Sequence, residues 1–385
     1  MKLLFSKSFF NIPSIALSLT LLLFPFSTIC SIGQYQPFYI IPGSVFIVHG
    51  IWKYLQKPKS TFPTPFKYLS AFVTLAVTYN IGYTIFGDYN HLYNGAVYIF
   101  LSLFFFSLFY YIQKSVNRFS LVFLISTGIC VLSYILYFLL NGIKVGYNST
   151  FMYNINQFAY WSFLSFVILE IITYTKGLAL FKRVLQFFLF FFVLFTLSRS
   201  ASMGIFIFVL LACVKFLNRK YLLIIFFAVL SLFWYVAHDW LLDSFELYRI
   251  YYKRFFQGRE LGDLQNLLYG RGFLSVIENP EYLIFGAGEG HASRFGHKFW
   301  IHNSLLNIMF SYGILGISLF VLFVKKCCRG YEKRWMILLP LLASSMFTEI
   351  SHNLHFWIIL AIMMSYSNVG IKEITSDDKL KTQLN

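Results

Sequence analysis

His302 and Asn303 open a long apolar segment, "HNSLLNIMFSYGILG", that carries Gly313 and Gly316 further in. An imidazole titrates near neutral pH and can take a proton from a hydroxyl. A helix start presents N–H groups and partial positive charge, which suits an anion. Upstream, Arg199 stands alone in "LSRSAS" between two strongly apolar stretches. A guanidinium at or near hydrocarbon depth is costly unless it snorkels or meets a partner, in protein or as a lipid phosphate. Arg271 lies between Gly270 and Gly272, whose missing Cβ atoms allow a close approach. Arg249, Lys253, Arg254 and Arg259 form a basic stripe suited to a phosphorylated ligand, partly offset by Asp243, Glu246, Glu260 and Asp263. Glu349, His352, Asn353 and His355 cluster near the C-terminus. The spacing of Glu349, His352 and His355 is loose for a metal site, and an interfacial polar turn accounts for it, so no metal and no cofactor are expected. "FGAGEGH", Phe285 to His291, has the look of a phosphate loop but follows no βαβ pattern, so it reads as a tight turn.

The elements that must position these groups are membrane helices. The chain is 58% hydrophobic and 12% charged, with a mean hydropathy of +0.67, where soluble domains carry roughly 25% charged residues. Apolar stretches recur at about 9–29, 37–54, 67–86, 93–112, 119–140, 156–175, 183–198, 200–217, 219–238, 303–324, 335–348 and 351–367. They lack strand alternation and outlast any strand, so they read as helices. The whole chain, 1–385, reads as a single all-α polytopic membrane domain of about 12 transmembrane helices. The first stretch reads as an uncleaved span rather than a signal peptide. The five cysteines show no metal spacing.

The net charge of +16 would suggest nucleic acid in a soluble protein; here it reads as loop anchors, and no nucleic acid is expected. Basic residues crowd alternate short loops: Lys53, Lys57, Lys59 and Lys67; Lys114 and Arg118; Lys176, Lys182 and Arg183; Lys215, Arg219 and Lys220; Lys325, Lys326, Arg329, Lys333 and Arg334. The other short loops hold only Lys144 and Arg199. The positive-inside rule then puts both termini in the cytoplasm, and the turn at Arg199 and the segment 239–301 outside. That segment, between spans 9 and 10, is the one long hydrophilic stretch. It is expected to fold as two or three helices on the outer membrane surface, covering a cavity.

The order of motifs is a Ser-Arg-Ser turn between two spans, a long outer loop with Gly-Arg-Gly, then Pro280, "FGAGEG", and His302-Asn303 nine residues before Gly313-Ile-Leu-Gly316. This resembles the O-antigen ligase and polymerase family of bacterial surface polysaccharide assembly, over about Leu197 to Phe320. At Arg271 the sequence departs from the ligase pattern of an Arg with Leu four positions later, since Ser275 stands there. The resemblance implies a metal-independent, inverting membrane glycosyltransferase of the GT-C-like class, in the bacterial inner membrane with its site on the periplasmic face. It implies a donor glycan on undecaprenyl pyrophosphate, with a chain-length regulator as a further partner. By similarity Arg199 and Arg271 would hold the pyrophosphate and His302 would deprotonate or position the acceptor hydroxyl. Asn303, Arg254 and Glu349 are the candidate substrate-binding residues, and the sequence leaves open whether Arg271, Arg254 or Arg259 is the second phosphate contact. Polymerase is the first reading, ligase the second, and a lipid-linked oligosaccharide transporter the reading from another class.

Overall fold

The computed structural model describes residues 11–26, 31–32, 36–37, 39–56, 63–85, 91–141, 155–172, 178–216, 272–296, 301–346 and 351–367. Apart from a two-residue antiparallel pairing of Ser31–Ile32 with Gln36–Pro37, the described elements are helical. They are α1 (Ile12–Leu23), α2 (Ile40–Leu55), α3 (Thr64–Ile85), α4 (His91–Lys114), α5 (Val116–Asn141), α6 (Ile155–Ile171), α7 (Ala179–Phe195) and α8 (Arg199–Phe216). After three short helices, α9 (Leu274–Glu278), α10 (Tyr282–Phe285) and α11 (His291–Arg294), come α12 (Ser304–Cys327), α13 (Arg334–Ser345) and α14 (Leu354–Ser367). Each expected apolar stretch coincides with a helix except 219–238, which lies outside the described residues. Among the described residues, Gly95–Lys114, Val116–Leu140 and Ser304–Cys327 are long and apolar enough to cross a bilayer; several other apolar helices are shorter. Apart from that short pairing, the described residues form an all-helical membrane protein.

Without a hydrophobic drive between helices in lipid, close packing must hold such a bundle. Small residues supply it. A Cβ on Gly204 of α8 would come within 2.6 Å of the Phe163 ring of α6. At the centre, the Phe72 ring of α3 meets Tyr98 of α4 at 5.4 Å and Tyr312 of α12 at 5.7 Å, both edge-on, the arrangement that aromatic quadrupoles favour.

The contacts fix which helix ends lie together. Phe163 meets Gly204, and Phe166 meets Phe208 at 5.5 Å, so α6 and α8 run in the same direction. The Tyr160 hydroxyl donates to the Ser344 carbonyl at 3.2 Å, near the end of α13. Asn303 Nδ2 donates to the Met346 carbonyl at 3.4 Å. The starts of α6, α8 and α12 and the finish of α13 therefore share one end, which holds Arg199 and His302. At the opposite end Glu170 of α6 pairs with Lys182 at 3.5 Å and Arg183 at 3.1 Å, both on α7. Lys325 and Lys326 close α12 at that same end.

Helix α12 is broken. Gly313 has φ 69° and ψ −172° inside it, a region that glycine alone occupies readily. Such a residue takes neighbouring carbonyls out of the helical ladder. The carbonyls of Phe310 and Ser311 accept instead from the backbone N–H groups of Ala287 and Gly288, both at 2.7 Å. The segment expected to lie on the membrane surface thus goes deeper: Gly286 to His291 are buried against α12. Residues 217–271, with most of the expected loop helices, lie outside the described residues.

Both partners of this contact need glycine. A Cβ on Gly286, itself at φ 85°, would sit 2.8 Å from the Tyr312 carbonyl carbon, and one on Gly313 would strike the Ile284 carbonyl oxygen. Gly313→Ala is expected to lower the melting temperature of the purified protein by several degrees or to prevent folding, since that backbone conformation alone costs a residue with a Cβ about 1–3 kcal/mol. Gly82→Ala in α3, where nothing lies within 4 Å of the added carbon, should be neutral or gain up to about 1 kcal/mol. Equal melting temperatures for the two variants would refute a glycine dictated by backbone geometry.

Candidate functional site

Arg199 is positioned by a strained turn. Helix α7 finishes at Phe195, and Thr196 turns its hydroxyl back to the Val193 carbonyl at 2.7 Å. Leu197 follows at φ 53°, the one described residue other than glycine with positive φ. Ser198 then accepts at its carbonyl from Ser202 N–H at 2.9 Å, which starts α8. Ser198 and Ser200 are buried, with their hydroxyls 3.3 Å apart, while Arg199 between them is exposed. Among the described residues its guanidinium forms no ion pair. Leucine in a left-handed conformation is costly, and such strain concentrates at turns whose position matters.

At the same end, α12 starts with a capped first turn. Asn303 is extended, at φ −147° and ψ 115°, and its Oδ1 accepts from Leu306 N–H at 2.9 Å. With Nδ2 turned to Met346, this side chain joins two helix ends, so its amide is structurally engaged. His302, next to it, is half-buried.

Further into the bundle lies a polar cluster that sequence reasoning did not find. Glu289, inside the glycine turn, is 1% exposed. Its Oε1 lies 3.3 Å from His352 Nε2. The His352 ring packs edge-on against Tyr98 at 4.8 Å, and the Tyr98 hydroxyl is 3.1 Å from Ser351 Oγ. Burial by itself raises the Glu289 pKa. The charge of His352 beside it outweighs this and holds the carboxyl below the usual glutamate value. Tyr312 lies eight residues beyond Ser304, so the cluster sits about 12 Å below the helix start at 1.5 Å per residue. Around it the turn is held from α3. Tyr79 donates to the Phe285 carbonyl, and Arg294 donates to the Ala287 carbonyl while its guanidinium lies 3.7 Å over the Tyr83 ring. His291 is buried, its Nε2 3.1 Å from Asn307 Oδ1.

The structure brings Arg199, His302 and Asn303 to one end of the bundle. Arg271, Arg254 and Glu349 lie outside the described residues. His352 and His355, weighed above as metal ligands with Glu349, go to different partners. His355 is buried between the rings of Phe24 at 5.2 Å and Phe123 at 6.1 Å. Among the described residues no group of three potential ligands assembles. One signal for the missed cluster was present: Glu289 is an acid flanked by two glycines in an otherwise apolar stretch. Tyr98 and Tyr312 gave none, being aromatics in apolar runs.

Fold and site together define an all-helical membrane protein with a polar cluster buried beneath a glycine turn. No protein-family model matches the chain, and no curated protein is similar to it.

The lowered Glu289 pKa has a definite sign. The pair's stabilisation is fully present above the ordinary glutamate value of about 4.3 and is lost as pH falls through the lower native value. Melting temperature measured from pH 7 downwards should therefore fall less steeply for Glu289→Gln than for the wild type below about pH 4. Parallel curves would mean that the carboxylate contributes nothing through its charge.

Proposed function

We propose that the chain is a bacterial inner-membrane glycosyltransferase that polymerises oligosaccharide repeat units carried on undecaprenyl pyrophosphate. In this reading the bundle has about 12 spans and a GT-C-like fold. Both termini are cytoplasmic and the Arg199–His302 end faces the periplasm. The observation that carries it is the placing, at one bundle end, of an exposed arginine on a strained turn, with no ion pair among the described residues, and a half-buried histidine at a helix start. A lipid diphosphate leaves as an anion, and a guanidinium beside a helix start stabilises that charge as it develops. The imidazole takes the proton of the acceptor hydroxyl, which attacks from the opposite face of the sugar and inverts the anomeric centre. No metal is required because the leaving group is already activated. Arg271 is assigned the second phosphate contact, with Arg254 and Arg259 as the other candidates.

The transporter reading draws on one observation of its own: α12 is discontinuous and a carboxylate–imidazole pair is buried beside the break, features that transporters place at their binding sites. Purified protein in vesicles separates the two. Movement of labelled lipid-linked sugar without chain extension would support transport and exclude the polymerase. In cells, a strain lacking the protein should show single repeat units on the gel of surface glycan. Long chains stranded on the lipid carrier would instead identify a ligase, which hands the finished glycan to lipid A core or another acceptor.

Arg199→Ala and His302→Ala should leave expression intact while chain extension falls about 100-fold or more, the usual contribution of a positioned acid–base group. Wild-type polymer from His302→Ala would remove the proposed base.

A further inference from the structure

A cavity of about 780 Å³ lies between α12 and α13 and reaches Ser351, at the edge of the polar cluster. Among the described residues, its lining starts with Ser304, Ser345 and Ser351 at the His302 end. It continues along apolar side chains, with Phe320, Val324, Leu338 and Leu341 among them. It finishes at the opposite end with Lys325, Lys326, Arg329 and Arg334, and no described lining residue is acidic. Val321, Trp335 and Leu342, also in the lining, are exposed, so the cavity is a groove open sideways to the surroundings of the bundle. Along α13, which lines the groove from Arg334 to Ser345, the helix rises about 16 Å, so the space is longer than it is wide and open along its side. An alkyl chain fits lengthwise in such a groove.

Charge decides what fills it. An apolar slot alone would accept any hydrocarbon. Four cations at one mouth demand an anion at that level, and a guanidinium forks onto phosphate oxygens. Trp335, exposed beside Arg334 with the guanidinium 5.8 Å from its ring, is the amphipathic type of side chain that settles at headgroup depth. Membrane-surface cations attract anionic lipid by a factor of about five each.

We infer that this groove is a binding site for an anionic phospholipid, with its phosphate on Lys325, Lys326, Arg329 and Arg334 and one acyl chain laid between α12 and α13. The phosphate end of the site lies opposite the Arg199–His302 end, and the assignment stands whether or not the glycosyltransferase reading does.

The test is native mass spectrometry of the full-length protein titrated with phosphatidylglycerol or phosphatidylcholine of matched chains. Phosphatidylglycerol should bind about tenfold tighter or more, and the triple variant Lys325→Gln, Lys326→Gln, Arg329→Gln should lose that preference. Leu342→Trp, which fills the slot, should weaken phosphatidylglycerol binding with the cations intact. Glycerol phosphate alone should not compete, which separates a lipid from a free phosphate. Should the triple variant not fold, Lys325→Gln and Arg329→Gln, both at exposed positions, carry the same comparison singly, each at about fivefold. Equal retention of the two lipids by the wild type, or full retention of phosphatidylglycerol by the charge variants, overturns the assignment. So does displacement by a neutral polyprenol that is equal in wild type and variant.

Discussion

The structure depends on two backbone hydrogen bonds, from Ala287 and Gly288 to the carbonyls of Phe310 and Ser311. In hydrocarbon an unsatisfied carbonyl costs several kcal/mol, so a helix can break there only if something else supplies the donors. The turn after α10 supplies them, and it reaches them because Gly286 and Gly313 bring two backbones closer than any side chain permits. Break and turn are one feature: neither survives without the other. What the turn carries inward follows from this. Glu289 is buried because its neighbours are hydrogen-bonded to α12, and His352, Tyr98 and Tyr312 surround a carboxylate that would otherwise be prohibitively expensive to dehydrate.

How much of this was readable in the sequence varies with the range of the interaction. Helix positions were legible because bilayer solvation acts on every residue of a segment at once, and the apolar runs of α3, α4, α5 and α12 leave no other option. The separate hairpin of α7 and α8 was legible from one charge, Arg199, between two greasy runs, although the Leu197 strain that makes the turn was not. The glycines of "FGAGEG" and Gly313 were visible, but as isolated turn signals. Their purpose is mutual, and a contact between two distant glycines leaves no pattern in either stretch. Asn303 was legible as a polar residue opening a helix, and its bonds to Leu306 N–H and the Met346 carbonyl were not.

The same limit explains the histidines. In the sequence Glu349, His352 and His355 read as an interfacial polar turn too loosely spaced for a metal, with nothing to tell the two histidines apart. Three residues apart near a helix start, they are separated by the start itself: His352 precedes α14, where Asn353 caps by accepting from His355 N–H at 2.9 Å, and His355 is already inside it. The cap turns one ring towards Glu289 and sends the other into the aromatic core against Phe24 and Phe123. A local hydrogen bond thus decides which histidine meets the carboxylate.

The two ends of the bundle now differ in a way that constrains any ligand. With His352 protonated, the Glu289 pair is neutral and gives an anion arriving above it neither attraction nor repulsion. Without that proton the cluster carries a net negative charge about 12 Å below the start of α12, in surroundings that screen poorly. Only without that proton does the cluster repel an anion from the interior. The opposite end has no such floor: Lys325, Lys326, Arg329 and Arg334 line an apolar groove with no acid among its described residues. The protonation of His352 thus sets whether the interior differs in charge from the basic end of the bundle.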